Sequence, residues 1–201
     1  MATASPLRVS PLQPSDWIRA GFAQLAREGI ESVRVEVLAR ELGVSKGSFY
    51  WHFRDRDDLL MQMLGQWEAS EVEWLSGEES DALERPNAAI RWARFVERSI
   101  ESDRIREEIA VRAWARRDER VAHRLAAIER RKTQVIANVL ADIGFAAEFA
   151  QSWSEMVMLV YLGWLDRTAR DGEFRAAAKG LGEFLSELVL AASAKATREN
   201  H

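Results

Sequence analysis

Beyond residue 14 the chain contains a single proline. Pro6, Pro11 and Pro14 crowd its start, and Pro86 is the remaining one. Proline removes a backbone donor and clashes with the preceding turn, so it interrupts helices. Its scarcity leaves the rest of the chain free to be helical, and the apolar spacing uses that freedom by repeating at about 3.6 residues rather than 2. The fold class predicted is all-α, with about nine helices and no strand. There is no repeat at solenoid periods and no low-complexity tract.

The boundaries follow from caps and breakers. Ser15 is a candidate cap for a first helix to about Arg27, with Trp17, Ile18, Phe22 and Leu25 inward and Gly29 closing it. A second helix runs from Val35 to Leu42 and stops at Gly43. Ser45 is a natural N-cap for a third, from Lys46 to about His52. Asp55 caps a long fourth, which carries Leu59, Leu60, Met63, Leu64, Trp67 and Trp74. The polar run from Gly77 to Arg85 reads as a linker. Pro86 stands where a first-turn proline belongs and opens a helix with Ile90, Trp92, Phe95, Val96 and Ile100. Further helices are expected from Arg104 to Ala115, Asp118 to Asp142 and Ala146 to Arg170, and a last one carries Phe174, Leu181, Phe184, Leu185 and Leu188. The organisation predicted is a flexible arm over 1–14, a compact head over 15–60 and a helical body over 61–201.

Composition excludes several chemistries. The 201 residues include no cysteine, so there is no disulfide framework, Cys-type zinc site or thiol nucleophile. Three histidines, His52, His123 and His201, are too scattered to suggest a metal site. No cofactor is expected. No run of about 18 apolar residues exists to span a membrane, and nothing before Pro14 resembles a secretory leader; a cytoplasmic protein is expected. The net charge of −4 hides an uneven distribution. Residues 1–60 hold eight basic and eight acidic side chains, so the whole deficit lies further on. A nucleic-acid-binding module needs to be basic on one face only.

The second and third helices with the turn Gly43-Val44-Ser45 form a helix-turn-helix pattern. Gly43 lets the chain leave the second helix in a left-handed conformation. Leu38, Ala39 and Leu42 face Val44, a plug between the two helices. Phe49 and Phe53, four apart, anchor the third helix inward. Gly47 and Ser48 are small enough for that helix to lie deep in a groove. The other faces carry Lys46, Ser48, Tyr50, Trp51 and His52, a polar and aromatic surface suited to a major groove and its phosphates.

The run Gly29-Ile-Glu-Ser-Val-Arg-Val-Glu-Val-Leu-Ala-Arg-Glu-Leu-Gly43-Val-Ser-Lys-Gly-Ser-Phe-Tyr-Trp-His-Phe53, followed by Arg54-Asp-Arg-Asp-Asp-Leu-Leu60, resembles the TetR (tetracycline-repressor-like) family of bacterial transcriptional regulators over about residues 15–64. The resemblance implies a ligand-responsive repressor, with a variable effector pocket and a dimer interface in the C-terminal helices. The family often has Thr or Ser opening the second helix; here Val33 and Arg34 stand there. The cap is lost, but Arg34 can reach a phosphate with a full charge.

The DNA-contacting set expected is Arg34, Ser45, Lys46, Gly47, Ser48, Tyr50, Trp51, His52, Arg54 and Arg56. Lys46 and Ser48, with Trp51, read bases, and Arg34, Tyr50, His52, Arg54 and Arg56 bind phosphates. A body rich in large side chains suggests an effector pocket among Trp67, Trp74, Trp92, Phe95, Trp114, Trp153, Met156 and Tyr161. Few charges fall on the expected inner faces, so the effector predicted is apolar or aromatic. The stretch from Met156 to Leu165 is apolar on more faces than a monomer can cover. With the last helix it predicts a homodimer interface at Val157, Val160, Trp164, Leu181, Phe184 and Leu188. The partners expected are double-stranded DNA with a two-fold symmetric operator, a second copy of the chain and a small effector.

Two other readings compete. The chain could be a helical protein-interaction adaptor that keeps a helix-turn-helix shape. Gly43-Val-Ser-Lys-Gly47 also fits the G-x-S-x-G elbow of serine hydrolases, which requires a strand before the serine. The cationic stretch from Arg112 through Arg116, Arg117, Arg120, Arg124, Arg130 and Arg131 to Lys132 is read as a solvated face.

Overall fold

A computed structural model of the chain describes residues 12–84, 88–99, 102–171 and 180–187. Among them there are eight α-helices: α1 (Pro14–Glu28), α2 (Val35–Glu41), α3 (Lys46–Tyr50), α4 (Arg56–Glu84), α5 (Ala88–Ser99), α6 (Ser102–Ala115), α7 (Glu119–Ile143) and α8 (Ala147–Asp171). Residues 180–187 are helical as well, and no strand occurs in the described part. The all-α expectation holds. The chain divides into two compact units, Met1–Gly65 and Gln66–His201, here called the head and the body. No helix of the described residues is long and apolar enough to cross a membrane.

The head closes around aromatic rings. Trp17, Leu38, Phe49, Phe53, Leu59 and Met63 are buried. Trp17 meets the edge of Phe49 at 5.3 Å, and Phe49 stacks on Phe53 at 5.1 Å. Burying each such side chain contributes about 1.5–3 kcal/mol. Gly43 has φ +68°, the left-handed turn that frees Val44 to donate its N–H back to the Ala39 carbonyl at 2.9 Å. Gly21 lets α1 approach α4: a Cβ there would lie 2.6 Å from Met63 Sδ.

In the body, α7 packs along α5, α6 and α8. Its N-cap is Asp118, whose carboxylate accepts the Arg120 N–H at 3.0 Å, and Gly144 ends it in the left-handed region. The core includes Leu75, Trp92, Phe95, Ile105, Val135, Leu140 and Leu165.

Several boundary expectations are corrected. Helix α1 starts at Pro14 and is capped from Gln13, whose N–H donates to Asp16 Oδ2 at 2.8 Å; Ser15 is not the cap. Pro14 therefore belongs to a helix rather than to an arm, and residues 1–11 lie outside the described ones. Ser45 holds the N-cap position of α3, but its hydroxyl makes no capping bond. Asp55 does cap α4, accepting the Asp58 N–H at 2.8 Å. The expected linker from Gly77 to Arg85 is helical through Glu84, because one glycine costs a helix only about 1 kcal/mol and the acidic and alanine residues around it are tolerated there. Pro86, Phe174 and Leu188 lie outside the described residues.

Candidate nucleic-acid interface and the interior of the body

The short helix α3 is held by its two phenylalanines, and everything else on it is offered outward. Phe49 is fully buried, while Tyr50 is 61% and Trp51 87% exposed. Ser45, Lys46 and Gly47 are exposed and Ser48 and His52 half-buried. The His52 ring meets Phe53 edge-on at 6.3 Å. An exposed indole and phenol beside a lysine and small polar residues is a surface that only a partner would cover. Leaving those two rings largely in water gains the isolated head no stability.

The four expected phosphate- or base-contacting cations all have partners within the protein. Lys46 Nζ pairs with Glu36 Oε1 at 2.7 Å, and the ammonium in turn holds the Glu36 carboxyl below its ordinary range. Arg34 Nε donates to the Glu31 carbonyl at 2.9 Å. Arg34 is also the N-cap residue of α2 and supplies no side-chain cap, while Val33 beside it is buried. Arg56 is the clear correction. Its Nε donates to the Val33 carbonyl at 2.5 Å and its Nη2 to the Ile30 carbonyl at 2.6 Å. It ties the first turn of α4 to the segment between α1 and α2, so it positions the motif instead of facing a phosphate. Arg54 remains outward, with its Nε 3.4 Å from Asp58 Oδ2. Ser45 follows helix α2, not a strand, so it does not have the geometry of a nucleophile elbow.

The body's interior departs furthest from expectation. A cavity of about 30 Å³ is lined by Trp74, Trp92, Phe95, Tyr161 and Met158, with Arg104, Glu108 and Lys132 on its polar side. Trp67, Trp114, Trp153 and Met156 do not line it. Trp67 and Trp114 are buried in packing, Trp153 is half-buried beside Phe149 at 5.5 Å, and Met156 is exposed. Beside the cavity runs a chain of ions. Lys132 Nζ lies 2.8 Å from Glu108 Oε2 and 3.0 Å from Glu71 Oε2. Arg112 binds Glu108 at 2.8 Å and Glu129 at 2.6 Å. The Tyr161 hydroxyl donates to Glu108 Oε2 at 2.9 Å. Burial alone would push the Glu108 carboxyl up, but the Lys132 ammonium and Arg112 guanidinium outweigh it and hold it at about 2. Burial and the Glu108 charge together push the Tyr161 phenol well up, so it keeps its proton. The solvated-face reading therefore fails for Lys132 and Arg112, and so does the expectation of few charges inside.

No sequence signal from period alone marks Glu71, Glu108 and Lys132 as buried. Their mutual placement on α4, α6 and α7 arises only once the helices pack. Among the described residues no group of three His, Cys, Asp or Glu could hold a metal.

The residues expected at a dimer interface separate into two sets. Val157 and Leu181 are buried inside the body, and Val157 lines the cavity. Val160 and Trp164 are half-buried and Phe184 is exposed. The outward apolar face of α8 instead carries Phe149, Met156 and Leu159. The error is one of helical phase: in a stretch this apolar the spacing does not say which face turns inward.

Residues 18–63 match the family model described as bacterial regulatory proteins, tetR family. Over 46 residues the chain is 37% identical to the HTH-type transcriptional regulator AcrR of Shigella flexneri, covering 23% of this chain and 20% of that protein. Over 52 residues it is 38% identical to the class A tetracycline repressor protein from transposon 1721 of Escherichia coli, covering 26% of this chain and 24% of that one. The chain thus matches only a fifth to a quarter of the length of these relatives. The fold extends further. A transcriptional regulator from Rhodococcus sp. Rha1 superposes with a TM-score of 0.71 at 18% identity, covering 90% of this chain and 97% of that one. The regulator FadR from Bacillus subtilis, solved in complex with stearoyl-CoA, does so with a TM-score of 0.60 at 16% identity, covering 88% and 97%. Over residues 18–63 the chain is similar to the tetR family of bacterial regulatory proteins, and its described helices share the fold of solved transcriptional regulators.

Proposed function

We propose that the chain is a sequence-specific DNA-binding transcriptional regulator of repressor type, working in the cytoplasm as a homodimer that a small effector releases from its operator. The observation that carries this reading is the surface of α3. Tyr50 and Trp51 stand exposed next to Lys46 and Ser48 on a helix whose inner face is locked by Phe49 and Phe53. The head, residues 15–60, supplies that surface; residues 61–201 bind the effector and the second copy.

Lys46 leaves Glu36 to donate to guanine O6 and N7, Ser48 and Trp51 complete the base contacts, and Arg34, Tyr50, His52 and Arg54 bind phosphates. One helix of this length is too small to select a site alone, so two heads read half-sites about one helical turn, ~34 Å, apart. The face of α8 bearing Met156 and Leu159, with Phe184, is the surface on which the copies meet, as an isologous contact. The ligand in the FadR complex supports a body that binds small molecules. Helix α4 runs from Arg56 to Glu84 and so links the helix-turn-helix motif to the cavity wall at Trp74. An effector releases DNA only by binding the DNA-incompetent form more tightly, by about 1.4 kcal/mol for a tenfold loss of affinity.

Selection of bound fragments from a random duplex pool, followed by anisotropy titrations across salt, tests the DNA reading. A two-fold consensus is expected, with affinity falling steeply as salt rises. Lys46→Ala relaxes one base pair of the consensus by about 1–3 kcal/mol, whereas Tyr50→Phe weakens every site alike. No consensus and no salt dependence would leave a protein-binding adaptor in its place. Sedimentation at micromolar concentration should give twice the 22.9 kDa chain mass.

A further inference from the structure

Arg104, Glu108, Lys132, Ser99, Trp92 and Tyr161 on the wall of the body cavity are satisfied from within, in part by Glu71, Arg112 and Glu129 behind it, and the Trp74 indole is the lining donor that is not; that exception specifies a ligand. Three carboxylates, Glu71, Glu108 and Glu129, face three cations, Arg104, Arg112 and Lys132. Each has an opposite partner at 3.0 Å or less: Arg104 to Glu71 at 2.5 Å, Lys132 to Glu71 and Glu108, and Arg112 to Glu108 and Glu129. The set is formally neutral, so it holds no spare charge. The neutral donors on the wall are also placed. Tyr161 donates to Glu108, Ser99 Oγ to the Phe95 carbonyl at 2.6 Å, and Trp92 Nε1 to the Leu185 carbonyl at 3.2 Å. Trp74 differs. Its Nε1–H is buried without an acceptor, although its ring stacks on Phe95 at 5.3 Å and lies under the Arg104 guanidinium at 4.6 Å. A buried donor left unpaired costs the full desolvation of that group, and here it belongs to a side chain lining a cavity of about 30 Å³, room for a single water-sized group.

We propose that the body binds an uncharged, predominantly apolar or aromatic molecule carrying a hydrogen-bond acceptor, a carbonyl or ether oxygen, that takes the Trp74 Nε1–H. The inference rests on reading the body as effector-binding and adds the chemical class. The acceptor atom fills the water-sized space. The remainder of the molecule parts the walls formed by Trp74, Trp92, Phe95, Val157 and Met158. A carboxylate ligand is disfavoured, because it would have to take Arg104 or Lys132 from a carboxylate already buried there, leaving that carboxylate without its counter-ion. A cationic ligand meets the converse problem at Lys132.

Three probes with one ring system separate these possibilities: 2-acetylnaphthalene with a neutral acceptor, naphthalene with no polar atom, and 2-naphthoate with a charge. Isothermal titration of the full chain should show 2-acetylnaphthalene binding at least tenfold more tightly than either of the others. Trp74→Phe keeps the ring and removes the N–H, so it should erase the advantage of the ketone over naphthalene. The ratio is taken within one variant and does not depend on how much of that variant is folded. Tightest binding of 2-naphthoate would overturn the charge argument. Equal affinity for the ketone and naphthalene, or a preference surviving in Trp74→Phe, would overturn the acceptor assignment. Failure of all three to bind at millimolar concentration would remove the effector site itself. A ketone that binds as expected yet leaves operator affinity unchanged would refute effector release while keeping the ligand class.

Discussion

In the head, the buried side chains are Trp17, Ile18, Phe22, Leu25, Leu38, Phe49, Phe53, Leu59 and Met63 with their aliphatic neighbours, and Gln24 is the buried polar residue among those described. In the body, Glu71, Glu108, Lys132, Ser154 and Thr168 are buried alongside Trp74, Trp92 and Phe95. The two regions share a helical vocabulary and differ in what they take out of water. An apolar interior tolerates substitution in proportion to the volume lost. An interior that encloses ions depends on every member, because a removed partner strands a charge. The difference suits the roles proposed. The head presents a fixed shape outward, whereas the body keeps polar groups inside where a ligand can be sorted.

The comparison breaks most sharply at Lys132. Lys132→Ala takes a cation from both Glu71 and Glu108 and should destabilise the body by about 3–5 kcal/mol. Phe49→Ala should cost the head a similar ~3–5 kcal/mol through a void between Trp17 and Phe53. Urea melts followed by near-UV dichroism should show the two losses. Phe49→Ala and not Lys132→Met, which retains the volume, should abolish operator binding. If Lys132→Ala is as stable as wild type, the ion chain contributes nothing and the contrast between the regions falls.

Acid sharpens it next. Glu108 titrates at about 2 in the folded body, below the value near 4.5 that a free side chain has. Its contribution to stability is fully present above that free value and is lost as pH falls from about 4.5 toward 2. The stability of wild type should therefore fall over that window more steeply than that of Glu108→Gln. In the head, the Arg54 N–H and the Lys46 ammonium also hold Asp58 and Glu36 low; Glu36 is exposed and solvent-screened, so Glu36→Gln should leave the acid slope unchanged.

How much of this was legible in the sequence divides along the same line. Gly43, Phe49 and Phe53 announce the motif because each answers one local demand: a left-handed turn, then two inward anchors on one helical face. Trp17, Leu38 and Leu59 follow the same period, and polar there means exposed. Arg56 was misplaced because its partners are backbone carbonyls of Ile30 and Val33, which no spacing reveals. In the body, Lys132 sits among seven other cations in a stretch that reads as surface, and only the packing of α4, α6 and α7 turns it inward. Met156 and Val157 were exchanged between pocket and interface because the run from Met156 to Leu165 is apolar all round, so one residue of phase decides the face.

Smaller effects refine the head. Gly21→Ala places a Cβ against Met63 Sδ, and because that sulfur ends a flexible side chain the cost should be about 1 kcal/mol, at the low end for overpacking. Gly21→Ala with Met63→Ala should recover none of it, since the void is larger than the methyl. Smallest of all, Glu36→Gln should leave the melting temperature unmoved while strengthening binding to random duplex severalfold at low salt, because Lys46 loses a competitor for phosphates. A wild-type affinity for random DNA in that variant would show that the 2.7 Å pair does not restrain Lys46.

Trp51 stands almost wholly in water, while Trp17, Trp67, Trp74, Trp92 and Trp114 are buried. The molecule therefore carries its own two-colour reporter. The outward indole emits at long wavelength and is open to iodide or acrylamide; the enclosed ones emit further to the blue and are shielded. A duplex laid against α3 would protect the first population, and a compound entering beside Trp74 would perturb the second. One unlabelled sample, excited at a single wavelength, would then register events at α3 and beside Trp74 separately, and show whether they exclude one another.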